Sequence, residues 1–446
     1  MVLKMLGAAV NTLLPSKYYV HACLSVLVIV AVHAFAQGRR TNRERDMHAR
    51  VVLVTGGFTS LGLTLLQNLA ERGAHIIALA PKPIDSPEIE ILISLLRSST
   101  NNEQVYAEEC DLTSPASIRS FCTRFLTGKE TRIDAIVFAH EYPLIGSAPA
   151  FEDPVALRRR RQEASLATFL ILTLLLPVLL VAPVERDIRI INVVNPFYAA
   201  AAITYSHSQV PPATSSLFQQ EGWRSLQTII LTRHLQRVLD ALPSGGPPPE
   251  TDGNTVHVVS DKVQKSNIVA VSVCPGISRA DTIAPLFNAD GFRRRTIHGL
   301  MLYLLLQPLL RILTKSPTSA VQSVLHALFL PTPFKRIAQS PSTGTQTSGS
   351  DTVQEVLKAG ALYRECAVVH VRIPTLESAS SSNDDKDPKD TTDTTMLDDR
   401  ELGGVHLGQR VWETLEAGLK EWEKQPVPSE KRGTDNEDAS VDTPSN

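Results

Sequence analysis

The stretch Val51-Val52-Leu53-Val54-Thr55-Gly56-Gly57-Phe58-Thr59-Ser60-Leu61-Gly62-Leu63 decides the fold. It opens with a continuous apolar run, which suits a strand buried on both faces. Glycines then turn the chain, and an amphipathic helix follows through Arg72. A strand, a glycine-bearing turn and a helix is the arrangement in which backbone N–H groups and a helix N-terminus hold a pyrophosphate. Working outward, the same apolar signature predicts strands at His75–Ala80, Val105–Asp111, Ile133–His140, Arg189–Val194 and Ile268–Val273, with helical stretches between them. Strands and helices alternating in this way predict an α/β fold built on a doubly wound parallel sheet.

Motifs placed on this frame carry a resemblance. They are T-G-x-x-x-x-x-G at Thr55, Gly56 and Gly62; C-D-L-T at Cys110–Thr113; I-D-A-I-V before the end of the fourth strand; the apolar helix ending at Leu174–Leu180; and C-P-G-I at Cys274–Ile277. In this order they resemble the short-chain dehydrogenase/reductase (SDR) family across about residues 50–372. The whole chain looks most like a fungal SDR-like family associated with mitochondria. The resemblance implies a Rossmann-like domain and a cofactor, NAD or NADP. Gly56, Phe58, Ser60, Leu61 and Gly62 would lie around its phosphates, and Asp111 and Leu112 at its adenine. Lys82 either meets a 2′-phosphate, which would favour NADP, or is a surface lysine.

The catalytic part of the family pattern is missing. Ser60 replaces the middle glycine of the loop, and its Cβ narrows the space for a phosphate. Phe138-Ala139-His140-Glu141 stands for the family's N-N-A-G. The structural asparagine falls near Ala164 or Ser165, the serine on Asn195, and the Y-x-x-x-K pair on Trp223 and Gln227. One observation needs no alignment: no Tyr is followed four residues later by Lys, and no lysine lies between Lys129 and Lys262. The family's chemistry uses a Tyr hydroxyl as general acid, with a lysine one helical turn away lowering its pKa. No catalytic residue is therefore assigned. Tyr198 and Tyr205, beside the inserted Gln209–Thr214 stretch, are either substitute acids or ordinary buried tyrosines. The expectation is a pseudo-enzyme, a nucleotide- or lipid-binding or scaffold module. The alternative is an active NADP-dependent oxidoreductase on a lipid-like carbonyl or hydroxyl.

The ends of the chain suggest a location. Val20–Ala36 carries no formal charge with its histidines neutral, and Arg39, Arg40, Arg43, Arg45 and Arg50 follow it. This predicts a single-pass anchor over residues 18–37 with the main domain facing the cytosol, on the endoplasmic reticulum or the mitochondrial outer membrane. Ala34-Phe35-Ala36 leaves a cleaved signal peptide as the competing reading. Residues 1–17 form a short leading segment; 373–402 read as a disordered acidic linker, 403–424 as an amphipathic helix, and 425–446 as a disordered tail. That helix either docks on the main domain or binds a partner. Leu300–Leu313 is too short to span and reads as a lid or a monolayer-dipping helix suited to a lipid-like ligand. The Leu166–Ala182 helix flanks the sheet and is expected to meet a second copy in a homodimer. Arg158–Arg161 is either a solvated helix start or a contact for anionic lipid headgroups. With 44 basic against 46 acidic residues, bulk charge gives no support to nucleic-acid binding. Five scattered cysteines without a C-x-x-C pair argue against a disulfide scaffold or thiolate zinc site, and no metal is expected.

Overall fold

The structure, a computed structural model, describes residues 19–128, 131–146, 154–183, 185–205, 215–242, 266–289, 297–332, 355–373 and 401–424. The segment 1–17, the Gln209–Thr214 stretch, the linker through residue 400 and the tail 425–446 lie outside the described residues. Helix α1 spans Tyr19–Gln37. The domain then alternates β1 (Val51–Thr55), α2 (Ser60–Ala70), β2 (His75–Ala80), α3 (Pro87–Thr100), β3 (Val105–Glu109), α4 (Pro115–Thr127) and β4 (Ala135–Phe138). It continues with α5 (Pro154–Val181), β5 (Ile188–Val193), α6 (Tyr198–Ala202), α7 (Leu217–Ala241) and β6 (Ile268–Cys274). Then come α8 (Ile297–Leu313), α9 (Pro317–Phe329), β7 (Leu362–Arg364), β8 (Ala367–Val369) and α10 (Gly404–Lys424).

The strands form one sheet in the order β3-β2-β1-β4-β5-β6-β7-β8. All neighbouring pairs are parallel except β7 with β8, which is antiparallel. This is the doubly wound Rossmann-like order, and it reverses direction between β1 and β4. Alternation along β1 sets the two layers. Val52 and Val54 pack with α2, α3 and α9 through residues such as Leu65, Ile93 and Val324. Leu53 packs on the other side with α4, α5 and α7, among them Phe121, Leu170 and Leu235. The six strands expected from apolar runs are present; β7 and β8 were not foreseen, because three residues each give no periodic signal. Glu365 and Cys366 join them with positive φ values of 53° and 58°, the backbone of a type I′ hairpin turn.

Among the described residues two helices have the length and composition of a membrane span, and the structure treats them differently. Helix α1 exposes its apolar side chains along its whole length, whereas most of the apolar part of α5 is buried. Helix α5 is thus a core helix flanking the sheet. Its Leu166–Leu172 stretch lies under the sheet on one side. On the other, α10 of the same chain covers it with Trp412, Leu415, Leu419 and Trp422. The face expected to meet a second copy is occupied by the chain's own C-terminal helix; Leu180 and Val181 at its far end stay exposed.

The segment after α1 runs along α9. The Gln37 Oε1 accepts from the Ser316 N–H at 3.1 Å, where α9 begins. Thr41 Oγ1 meets His326 Nδ1 at 3.1 Å further along. Arg45 donates to the Leu328 carbonyl at the far end, 3.3 Å, and to Asp187 at 2.7 Å. Arg189 joins the same cluster. It donates to Asp187 at 2.9 Å and to the carbonyls of Ala327, Leu328 and Leu330, which closes the C-terminus of α9.

Candidate functional site

The turn after β1 is shaped by its contacts. Gly56 has φ +68°, and a Cβ there would lie 2.7 Å from the His140 backbone. The β1 turn therefore abuts the end of β4. Thr55 Oγ1 lies 2.7 Å from His140 Nδ1, and His140 Nε2 lies 3.1 Å from the Ala164 carbonyl. A carbonyl only accepts, so the ring carries its proton on Nε2 and takes the Thr55 hydroxyl proton at Nδ1. Burial lowers the His140 pKa and keeps the ring neutral.

The N-terminus of α2 is already satisfied from within the chain. Thr59 is the N-cap, its Oγ1 accepting from the Gly62 N–H at 3.1 Å. The Ser60 N–H donates to Asp281 Oδ1 at 3.1 Å. Asp281 is only 4 % exposed and comes from a π-helical turn at Arg279–Ile283, where Ser278 donates to its other oxygen at 3.1 Å. An anion is favoured at this helix end by the macrodipole, and the anion present is a carboxylate.

Beside this turn, at the carboxyl ends of β1, β2, β3 and β4, lies a crevice of about 400 Å³. At one end Leu79, Pro81, Cys110, Asp111 and Leu112 line it; at the other Phe58, Ser60, Arg160 and Asp281 do. The first end fits an adenosine: apolar walls with one carboxylate, whose oxygens accept from the Thr113 hydroxyl at 2.8 and 3.0 Å. The second end does not fit a pyrophosphate as it stands, because Asp281 places a like charge on the amide that would hold it.

Deeper between α5 and α7 a buried ion network fills the interior. Glu221, fully buried, accepts from Arg161 Nε at 2.6 Å and from the Gly146 N–H at 2.9 Å. Arg224 pairs with its other oxygen at 3.1 Å and donates to the Glu141 carbonyl at 2.9 Å. The Glu141 carboxylate accepts from the hydroxyls of Thr168, at 2.6 Å, and Thr228, at 3.1 Å. Opposed charges of Glu141 and Glu221 against Arg161 and Arg224 balance within this buried cluster.

Comparison with known proteins gives a consistent answer. The KR domain family matches residues 50–141. An uncharacterized oxidoreductase of Schizosaccharomyces pombe, pbr1, is 28 % identical over 325 residues, covering 70 % of this chain and 78 % of its own. The uncharacterized oxidoreductase YNL181W of Saccharomyces cerevisiae is 27 % identical, covering 69 % and 74 %. The human polyprenol dehydrogenase is 24 % identical, covering 56 % and 68 %. The chain is a short-chain dehydrogenase/reductase-like protein. Among solved structures, a short chain dehydrogenase from Shigella flexneri aligns with TM-score 0.43 at 14 % identity, over 64 % of this chain and 87 % of its own. The strand order, rather than that superposition, carries the fold.

In this SDR-like protein the expected cofactor residues separate into two groups. Gly56, Phe58, Ser60, Asp111 and Leu112 line the crevice together. Leu61, Gly62 and Lys82 do not. Leu61 turns into the core between α2 and the sheet. Gly62 serves close packing, since a Cβ there would lie 2.1 Å from the Gly56 carbonyl. Lys82 pairs at the surface with Glu88, 2.5 Å away, so a crevice role for it is corrected to the surface reading. The Tyr and Lys positions of the family are also elsewhere in character. Trp223 is buried, with its ring 4.6 Å from that of Tyr205. Gln227 lines a different cleft, under α10, together with Leu415 and Gly418. Tyr198 and Tyr205 are buried, burial raises both their pKa values, and neither lines the crevice. Asn195 holds the turn into α6, accepting from the Phe197 N–H at 3.0 Å.

Sequence reasoning missed Asp281, the role of Glu221 and the place of Arg160 at the crevice. Asp281 lies far along the chain from Ser60, and no local pattern links them. The arginine run was the one available signal. Its members diverge: Arg161 is buried on Glu221, Arg160 lines the crevice, and Arg159 pairs with Glu163 at 2.7 Å. Neither a fully solvated start nor a headgroup patch describes the run. Among the described residues no group of three or more His, Cys, Asp and Glu is placed to hold a metal ion.

Proposed function

We propose that this SDR-like protein sits at a membrane, binds a largely apolar, lipid-like ligand in the crevice, and performs none of the family's usual hydride transfer. One observation carries the reading: α7 contains no lysine, and it has a buried Trp223 and a Gln227 turned under α10 where the family's proton relay would stand. A tyrosine without its lysine cannot supply a low-pKa general acid. The crevice itself is mostly lined by apolar groups, which suits a lipid more than a dianionic pyrophosphate facing Asp281. The arginines after α1 support a cytosolic side for the domain, on the endoplasmic reticulum or the mitochondrial outer membrane.

The test is purified full-length protein with NADPH or NADH and a panel of retinoid and polyprenyl aldehydes and ketones. No cofactor oxidation above the blank is expected. A long-chain prenol at ~100 times its Kd should stabilise the fold by about 2.7 kcal/mol. A robust wild-type rate would overturn the inactive reading, whether or not it survives Trp223→Phe. A second reading has a specific observation in its favour. Arg160 lines the crevice as a cation, and relatives include dehydrogenases whose names give polyprenol and retinol as substrates. In that reading Gly56, Ser60 and Arg160 would hold the phosphates of a dinucleotide once Asp281 moved aside, and the group would supply the hydride chemistry of those relatives.

A further inference from the structure

Among the described residues, helix α8 presents an uncovered apolar stripe on its outer side. Between Ile297 and Leu313 it carries no acid, and its titratable residues are His298, Tyr303 and Arg311. Ile297, Met301, Leu305, Leu309 and Leu313, spaced by fours, are each more than half exposed, and Leu304 joins them. Such a stripe is costly to leave in water, because contiguous apolar area gains by burial. Both ends of the helix are fastened to the domain. Gly299 lies against the Phe287 carbonyl, which a Cβ would meet at 1.9 Å. Just past the other end, the Lys315 N–H donates to the Ile277 carbonyl at 3.0 Å, and the Arg279 N–H to the Lys315 carbonyl at 3.3 Å. Pinned twice, α8 lies along the body and does not swing away from it.

Two further facts fix what covers it. Helix α1 lies against α8, and Gln37 ties their ends together, donating to the Thr314 carbonyl at 3.1 Å while accepting from Ser316. The segment after α1 then travels the length of α9 to Arg45 before β1 starts back. Helix α1 therefore leaves the domain at the end where the parallel strands finish, which is the end holding the crevice. The loop from Pro275 that walls the crevice with Ala280 and Asp281 leads into α8.

We infer that α8 beds in the headgroup–acyl boundary of the bilayer beside α1, so that the crevice faces the membrane and takes its ligand from the lipid phase. The inference rests on the membrane reading of α1 and deepens it. An interfacial helix with one broad apolar face and few charges fits this placement. Exposed Arg39 and Arg40, which follow Gln37 and Gly38, sit at the level where anionic headgroups would meet them.

The test uses full-length protein in vesicles of phosphatidylcholine, with or without bromine on the acyl chains, and single tryptophans at three sites. These are Leu305→Trp in α8, Leu27→Trp in α1, and Leu95→Trp on α3, a similarly exposed leucine remote from the proposed face. Brominated lipid should cut the added emission at Leu305 and Leu27 by roughly two-fold or more and leave Leu95 unchanged. Quenching at Leu27 but not at Leu305 overturns the inference for α8; a dimeric mass in that case would assign the stripe to a second copy of the chain. No quenching at either site removes the membrane reading itself. Quenching at all three means indiscriminate adsorption and also overturns the proposal.

Discussion

Asp281 concentrates the question of what the crevice binds. Its carboxylate takes the Ser60 N–H at the start of α2, the group that a pyrophosphate would otherwise meet. Removing its charge while keeping its shape should relieve the repulsion. Asp281→Asn is expected to tighten NADPH binding about tenfold, worth ~1.4 kcal/mol, as read by calorimetry. Unchanged affinity in that variant, from a measurable starting value, would mean the carboxylate does not guard the site. Ser60, which the sequence marked as the obstacle, contributes its backbone N–H to this contact. The residue that obstructs was invisible in the sequence because it acts across more than two hundred positions, through a turn whose local pattern names no partner.

At the scale of elements, the sequence was most readable where periodicity is strong. The six long strands, α2, and the amphipathic face of α10 were all legible from apolar spacing, since burial selects side chains at the repeat of the backbone. What each face meets was not legible. Helix α10 lays Leu407, Val411 and Trp422 into the domain, and Trp412 sets its ring edge-on to Phe169 at 4.9 Å. It covers α5 and the cleft holding Gln227, so the helix that the sequence left between docking and partner binding lies on its own domain. Trp422→Ala should therefore cost about 3 kcal/mol of stability, as for other buried tryptophans. For a chain of this size that is a fall in Tm of roughly 3–5 °C, measurable by calorimetry. A variant melting with the wild type would show that α10 contributes little to the folded domain. The ion network beneath it was unreadable for another reason: Glu221 meets Arg161 across sixty residues, and buried pairs leave no periodic trace.

Across the whole molecule, the two ends of the sheet have different tasks. The carboxyl ends of the strands carry the crevice, α8 and the exit of α1. The opposite end carries a polar staple, in which Asp187 holds Arg45 from the segment after α1 and Arg189 from β5, while Arg189 also closes α9. A pull on α1 is thus resisted along α9 and at the far end of the sheet as well as at Gln37. Acid should loosen that fastening in a defined window. Burial by itself would raise the Asp187 pKa, but Arg189 and Arg45 outweigh it and hold the carboxyl at about 2, below its usual 3.8. A depressed folded-state pKa gives stability that is present above pH ~4 and is lost as pH falls through ~2, here about 2 kcal/mol. Asp187→Asn cannot titrate, so it should be less stable than wild type at pH 5 and should converge with it toward pH 2. Denaturant unfolding at both pH values reads the difference. Parallel losses in the two proteins would place the acid sensitivity elsewhere and leave the staple without the energetic role assigned to it.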